Sequence, residues 1–383
     1  MTPMVTSPGS DRPPLYLHVG LMKTGTTYIQ RTLRGASAEV AEQGLNLIPD
    51  NQPMGYKLAR AIRLNPEGAP NPQARRLLDH VTTRLAEQPD TPALLTVETL
   101  ASSSPQVIER LVAACPTHRV EVVITARDLA RSLPSAWQQS IRSGRTWTFE
   151  EYLEGVMSTE GAAARHFWVS HGLVNVAKRW TTAAPPERVH IVTVPPPGGD
   201  RDLLLQRFFP LVGLDPVTLP RPQARSNESL GAAQVEMLRR LNAILPDDLF
   251  YRERHGNLVK RYFALQVLAP MSSERYLMPA RHRAWCDEQA AQTIEGLREG
   301  GYHVIGDLED LRPVDASFTD GDQGGTEADI SAAAIGAVRQ LLADYASGRL
   351  DEIKVPPVPQ EGQLIPARNP PGGDPHADGY DED

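Results

Sequence analysis

The chain has 383 residues, 40% hydrophobic and 22% charged, which is enough for one large domain or two ordinary ones with a sizeable core. Its net charge of −8 argues against a nucleic-acid partner, and the excess is concentrated in residues 313–383, which carry −10, while residues 1–312 carry +2. The two cysteines lack the spacing of metal ligands, which argues against a cysteine metal site. The sequence contains no apolar run near the ~20 residues of a membrane span, which argues against membrane insertion.

Both ends of the chain differ in composition from its centre. Residues 1–14 are polar and proline-rich, without the apolar core of a signal peptide, so we expect a disordered leader and a cytoplasmic protein with reduced thiols. The main domain is predicted over residues 15–312. After it, residues 313–383 are predicted to form an acidic linker, one helix at about 330–346 and a disordered tail rich in proline, glycine and aspartate.

Short β-branched segments alternate with helical patterns along the chain. The segments read as buried strands are Leu15–Val19, Ala93–Val97, Val120–Thr125 and Val189–Val194, with a further short strand or ordered loop in Gly300–Leu308. Apolar residues at helical spacing lie between them, as in Ala74–Leu85 and Ser104–Ala114, and residues 231–297 are mostly helical by pattern. This alternation predicts an α/β fold with a central parallel sheet flanked by helices and a mostly helical C-terminal half.

The loop after the first predicted strand has the features of an anion-binding site. Gly20 opens the turn, Lys23 supplies a positive charge, and Gly25 lets the backbone approach a ligand before Thr26, Thr27 and Tyr28 begin a helix. Gly20 and Gly25 have the spacing of a Walker A loop. However, Thr26 follows Gly25 where that motif has lysine, so the ATPase signature is not met. A kinase or NTPase remains an alternative.

The segment Lys23-Thr24-Gly25-Thr26-Thr27-Tyr28 resembles the 5′-phosphosulfate loop of sulfotransferases that use PAPS, 3′-phosphoadenosine 5′-phosphosulfate. The resemblance implies a P-loop-like fold in which the loop amides and Lys23 hold the 5′-phosphate and the transferring sulfuryl group, with no metal required. Met22 stands where the family usually has proline. Tyr28 stands where several members have a tryptophan that stacks on adenine, although packing of the helix is an equal explanation for it.

A second resemblance follows the third predicted strand. The family has an arginine at the end of this strand and a serine eight residues later, and both hold the 3′-phosphate; Arg127 and Ser135 have this spacing. An arginine suits a phosphate dianion because its guanidinium donates two aligned hydrogen bonds. The segment beginning Arg225-Ser226-Asn227 looks like a third segment of bacterial members, through which Arg225 could reach the nucleotide; a helix N-cap is the alternative.

Sulfuryl transfer to an alcohol needs a base for the hydroxyl proton. Glu98 follows a predicted strand, and the carboxyl ends of parallel strands form the ligand crevice, so Glu98 is our first candidate. His18, two residues before the loop, is the second candidate, or else a buried structural histidine. The sequence therefore predicts a PAPS-dependent sulfotransferase acting on a hydroxyl, or an amine, of a small metabolite or carbohydrate. The alternatives are a P-loop kinase or NTPase and a nucleotide-binding protein that has lost catalysis.

Overall fold

The computed structural model describes residues 12–49, 51–63, 72–200, 202–221, 229–271 and 274–358. The chain forms two compact units, each made of three separate stretches of sequence. The first unit comprises Met1–Leu129, Trp168–Gln223 and Trp285–Val314. The second comprises Ala130–Phe167, Ala224–Ala284 and Asp315–Asp383. Both units draw on residues of the predicted 15–312 domain, and the second also includes Asp315–Asp383.

A six-stranded parallel sheet forms the centre of the first unit. The strands of the described chain are β1 (Pro14–Gly20), β2 (Asn46–Ile48), β3 (Ala93–Thr96), β4 (Arg119–Ala126), β5 (Val189–Thr193), β6 (Met278–Pro279), β7 (His303–Ile305) and β8 (Phe318–Thr319). The order in the sheet is β2-β3-β1-β4-β5-β7, and every neighbouring pair is parallel. The predicted fold class is therefore confirmed. β2 is an addition, because its three residues carry no strand pattern of their own.

Helices account for most of the remaining described residues. They are α1 (Thr26–Gly35), α2 (Ser37–Glu42), α3 (Gln52–Arg63), α4 (Pro72–Glu87), α5 (Pro105–Ala113), α6 (Leu129–Arg142), α7 (Phe149–Ser158), α8 (Gly161–His171), α9 (Leu173–Trp180), α10 (Leu203–Leu211), α11 (Ala232–Ile244), α12 (Arg252–Arg254), α13 (Arg283–Glu299) and α14 (Glu327–Ala346). After α12 the chain continues directly into a π-helix, His255–Leu268. The C-terminal half is mostly helical, as the sequence predicts.

Apolar side chains cover both faces of the sheet, which explains why its strands read as continuous hydrophobic runs. On β1, Leu15, Leu17 and Val19 pack into one core together with side chains of α5 and α9. The next residues along the strand point to the opposite face, where Tyr16 packs against a second core that includes side chains of α1 and α10. The sheet is thus buried on both sides, and only the ends of its strands are available for binding.

The second unit is helical, with one small two-stranded parallel sheet formed by β6 and β8. In it α11 packs against α14. The side chain of Asn242 is fully buried, and its Nδ2 donates hydrogen bonds to the carbonyls of Ile141, at 2.7 Å, and Arg145, at 3.0 Å. A helix lies where the sequence predicts one in the acidic C-terminal segment, from Glu327 to Ala346. Among the described residues, we find no helix with the length and hydropathy of a membrane span.

Candidate active site

The topology of the sheet predicts a ligand crevice at β1. The chain leaves β1 toward β2 and β3 on one side, and then crosses over to β4 and β5 on the other. In open α/β sheets, such a reversal leaves a crevice outside the carboxyl ends of the strands. The segments that follow the ends of β3, β1 and β4 begin at Val97, Leu21 and Arg127, and they contain Glu98, Lys23 and Arg127. Three predicted site residues therefore follow the ends of three adjacent strands.

The loop between β1 and α1 depends on unusual backbone angles. Gly20 has φ +122° and Gly25 has φ +86°, and Lys23 also lies in the left-handed region, at φ +63°. A side chain at Gly25 would be strained by this φ, and its Cβ, at 2.5 Å from Cδ2 of Leu204, would displace that leucine. α1 begins directly afterwards at Thr26, and its first turn contains no acidic residue. A helix N-terminus of this kind attracts an anion, because its first amides have no acceptors within the helix.

Buried threonines hold the base of this loop. The hydroxyl of Thr24 contacts the carbonyl of Leu21 and lies 2.6 Å from the hydroxyl of Thr125. Thr125 donates a hydrogen bond of 3.0 Å to the carbonyl of Gly20, and the amide of Leu21 donates one of 2.7 Å to the carbonyl of Thr125. Thr24 and Thr125 are at most 1% exposed. The hydroxyl of Thr24 therefore anchors the loop to β4.

His18 lies inside the sheet and is fully buried. Its Nδ1 is 2.8 Å from the hydroxyl of Thr96, and its Nε2 is 3.3 Å from that of Thr125. Because Thr125 already donates to Gly20, we assign the proton to Nε2 and an acceptor role to Nδ1. Burial lowers the pKa of the imidazole to about 3. The ring is neutral at ordinary pH and links the strand on each side of β1.

The carboxylate of Glu98 is held by two neutral donors. The hydroxyl of Tyr56 donates to Oε1 over 2.6 Å, and Nε2 of Gln30 donates to Oε2 over 2.7 Å. The same amide nitrogen of Gln30 lies 3.3 Å from the hydroxyl of Thr96. A carboxylate oxygen has room for more than one hydrogen bond, so both oxygens can accept a further donor. Glu98 is thus oriented from two sides and keeps its capacity to receive a proton.

Tyr28 is fixed in place at the start of α1. Its hydroxyl donates a hydrogen bond of 2.6 Å to Oδ1 of Asp202, whose Oδ2 accepts one of 2.8 Å from Nε of Arg221. The hydrogen bonds from Tyr28 and Arg221 lower the pKa of the Asp202 carboxyl, so it is an anion that holds both side chains. The ring of Tyr28 has a defined orientation as a result, as a stacking surface requires.

The residues predicted for the 3′-phosphate do not all fall in one part of the structure. Arg127, in the first unit, is half-buried and follows β4 directly. Ser135 belongs to the second unit, in α6, where its hydroxyl donates to the carbonyl of Arg131 over 3.0 Å. Arg225 lies outside the described residues. The pairing of Arg127 with Ser135 and the role of Arg225 stay predictions from the sequence.

Several residues of this site are absent from the sequence-based prediction. Gln30 and Tyr56 position Glu98, and Thr96 and Thr125 position His18 and the loop. For Gln30 the local signal is its position on α1: Gln30 and Arg34 lie four residues apart, so two polar side chains share one face of this helix. Tyr56 has no such signal, because it comes from α3.

No protein-family model matches the chain, and no curated protein sequence matches it. A solved structure, the crystal structure of a sulfotransferase from Alicyclobacillus acidocaldarius, is similar in fold to part of it, with 16% sequence identity and a TM-score of 0.36. The similarity covers 56% of this chain and 86% of that one. A likeness of this size does not define a family, so a functional conclusion depends on the site itself. Among the described residues, no group of three or more His, Cys, Asp or Glu side chains could hold a metal ion.

Proposed function

We propose that this protein is a sulfotransferase that moves the sulfuryl group of PAPS to a hydroxyl, or to an amine, of a small metabolite or carbohydrate. The observation that carries the proposal is the arrangement of Glu98, the loop around Lys23 and Arg127 after the ends of β3, β1 and β4. These are a carboxylate, an anion-binding loop and a guanidinium. A reaction that holds a phosphosulfate and a second phosphate while it deprotonates an alcohol needs all three.

These groups divide the tasks of an in-line transfer between them. The amides at the start of α1 and the Lys23 ammonium would bind the 5′-phosphosulfate, and Arg127, with Ser135 and Arg225 as predicted partners, would bind the 3′-phosphate. As the bond from the acceptor oxygen to sulfur forms, the bond from sulfur to the phosphate oxygen breaks. The acceptor proton passes to Glu98, and Lys23 together with the amides stabilises the charge that develops on the leaving phosphate.

Glu98 is a better candidate for the base than His18. A base must come within hydrogen-bond distance of the proton that it removes. Glu98 is half-buried after the end of β3, with both oxygens able to accept another hydrogen bond, while His18 is fully buried with both ring nitrogens next to threonine hydroxyls. His18 therefore acts in the proposal as a positioning residue between β3 and β4.

Calorimetric titration with PAP (the desulfated product), AMP and ATP–Mg²⁺ tests the nucleotide site. We expect PAP to bind at least tenfold more tightly than AMP, because only PAP has a 3′-phosphate for Arg127. The Arg127→Gln variant should lose this preference while its affinity for AMP stays unchanged. Arg119→Gln is a matched control, because Arg119 begins the same strand at its opposite end and pairs with Glu121 at 2.9 Å. Equal affinities for PAP and AMP in the wild type refute the proposal, and tight binding of ATP–Mg²⁺ indicates a kinase or NTPase.

Turnover of PAPS labelled in its sulfuryl group, measured with a panel of alcohols and amines, tests the chemistry. We expect Glu98→Gln to lower kcat by about 10²–10⁴, the usual contribution of a general base, with little change in PAP affinity. A variant as active as the wild type would exclude Glu98 as the base. PAP binding without any PAPS turnover by the wild type would instead indicate a nucleotide-binding protein.

A further inference from the structure

The guanidinium of Arg34 is the least satisfied charged group near Glu98. Arg34 lies in the last turn of α1, one turn beyond Gln30. Its Nε, Nη1 and Nη2 atoms are shielded from solvent, and in the described part of the chain they donate no hydrogen bond. Leaving a charged donor buried without an acceptor is costly, so a native protein keeps such a group when it has a use for it.

Other arginines of the first unit have partners. Nη1 of Arg207 donates to Oδ2 of Asp310 over 2.6 Å and to the carbonyl of Thr193 over 2.8 Å. Nε of Arg119 donates to Oε1 of Glu121 over 2.9 Å. These two arginines each have a carboxylate partner, whereas the described residues supply no acceptor to Arg34.

Arg34 is nevertheless part of the Glu98 group. It lies one helical turn beyond Gln30, whose side-chain amide donates to Oε2 of Glu98 over 2.7 Å. Burial lowers the pKa of its guanidinium, and the charges of Tyr56 and Glu98 raise it. Glu98 accepts hydrogen bonds from Tyr56 and Gln30, but none from the guanidinium of Arg34. The carboxylate is oriented by neutral donors, and the adjacent guanidinium keeps its fork of donors for another anion.

We propose that Arg34 binds an anionic group of the acceptor, so that the substrate is an alcohol or amine that also carries a carboxylate, sulfate or phosphate. This inference rests on the proposed function, in which Glu98 receives the proton of the acceptor. A guanidinium binds all three of these oxyanions through paired, parallel hydrogen bonds. Arg34 then determines specificity: with its anionic group on Arg34, the acceptor presents its hydroxyl to Glu98. Neutral sugars lack that contact and leave the guanidinium unsatisfied.

The test measures acceptor binding to the protein saturated with PAP, so that it does not depend on turnover. The probes are methyl glucuronide, glucose 6-sulfate and glucose 6-phosphate, each compared with its neutral parent sugar by calorimetry. We expect at least one charged probe to bind at least tenfold more tightly than its parent. Arg34→Gln should abolish this preference, and Arg34→Lys should retain part of it, because lysine keeps the charge and loses the fork. PAP affinity should change less than twofold in both variants.

Arg31→Gln is the matched control, because Arg31 lies on the same helix about 100° around its axis from Gln30, the residue that contacts Glu98; it should retain the full preference. The inference is overturned if none of the three charged probes binds to the wild-type protein more tightly than its neutral parent sugar. It is also overturned if Arg34→Gln keeps the preference. Failure of the wild type to bind PAP would instead refute the proposed function, so the two failures are distinguishable.

Discussion

The buried imidazole of His18 predicts a specific dependence of stability on pH. Its pKa is about 3 in the folded protein, because burial disfavours the charged form, while the unfolded chain has the ordinary value near 6.5. The neutral ring therefore contributes stability fully above pH 6.5, and this contribution is lost as the pH falls from 6.5 toward 3, since the unfolded state then binds the extra proton. The slope is about 1.4 kcal/mol per pH unit.

Replacing His18 with glutamine removes this titration. Between pH 7 and pH 5 the wild type should lose about 2 kcal/mol of unfolding free energy through His18, and the variant should lose less by that amount. Urea unfolding at both pH values measures the difference. His255, whose pKa burial lowers to about 4, contributes in the same direction, so only the difference between the two proteins isolates His18. NMR titration of the imidazoles in the wild type provides a second measurement.

The reasoning about His18 is refuted if wild type and variant lose equal stability between pH 7 and pH 5. It is equally refuted if the His18 resonances of the native protein titrate near pH 6.5. Either result would mean that the ring reaches solvent in the native state, which contradicts its burial between Thr96 and Thr125.

Three other predictions concern single positions. Gly25→Ala should weaken PAP binding at least tenfold by calorimetry, because φ is +86° and the new Cβ would meet Leu204. The control Gly35→Ala, with nothing within 4 Å of its Cβ, should bind PAP like the wild type. Equal PAP affinities of Gly25→Ala and the wild type would contradict the loop geometry. Burial raises the pKa of the Cys115 thiol to about 12, so this thiol should react with Ellman's reagent at pH 8 only after unfolding. Peptide mapping identifies the labelled cysteine. Labelling of Cys115 in the native protein at the rate of the unfolded chain would contradict its burial. Asn242→Ala should destabilise the protein by about 1–3 kcal/mol in urea unfolding, because the carbonyl of Arg145 loses the hydrogen bond from Asn242. The carbonyl of Ile141 also loses this donor but keeps the amide of Gly144 at 3.0 Å. An unchanged free energy of unfolding would contradict the prediction.

The sequence predicts those parts of the fold whose signals are local. Five strands of the sheet follow β-branched or apolar segments, and the anion loop follows from Gly20, Lys23 and Gly25 within six residues. β2 is missed because a three-residue edge strand forms by pairing with β3 rather than by its own pattern. The separation at Leu129 and Ala130 falls at the start of α6, where continuous helical pattern gives no sign of a boundary.

The same distinction applies to the site. Glu98 could be predicted because it directly follows a strand pattern. Its partners could not, because Tyr56 and Gln30 lie 42 and 68 residues away and meet it only through tertiary packing. For His18, the sequence allows two roles, a catalytic base and a buried structural histidine. A position near the end of a predicted strand does not show whether the side chain is exposed or buried. Its contacts with Thr96 and Thr125 favour the second role.

The sheet of the first unit is assembled from separate stretches of sequence, and this has a consequence for how the protein folds during synthesis. β7 pairs with β5, and the paired residues His190 and His303 are 113 residues apart. A ribosome adding about 5–20 residues per second needs roughly 6–23 seconds to deliver β7 after β5 has emerged. During that interval one edge of the nascent sheet is unpaired, and exposed edges invite pairing with other chains. The yield of folded protein should therefore depend on chaperones that protect this edge during synthesis.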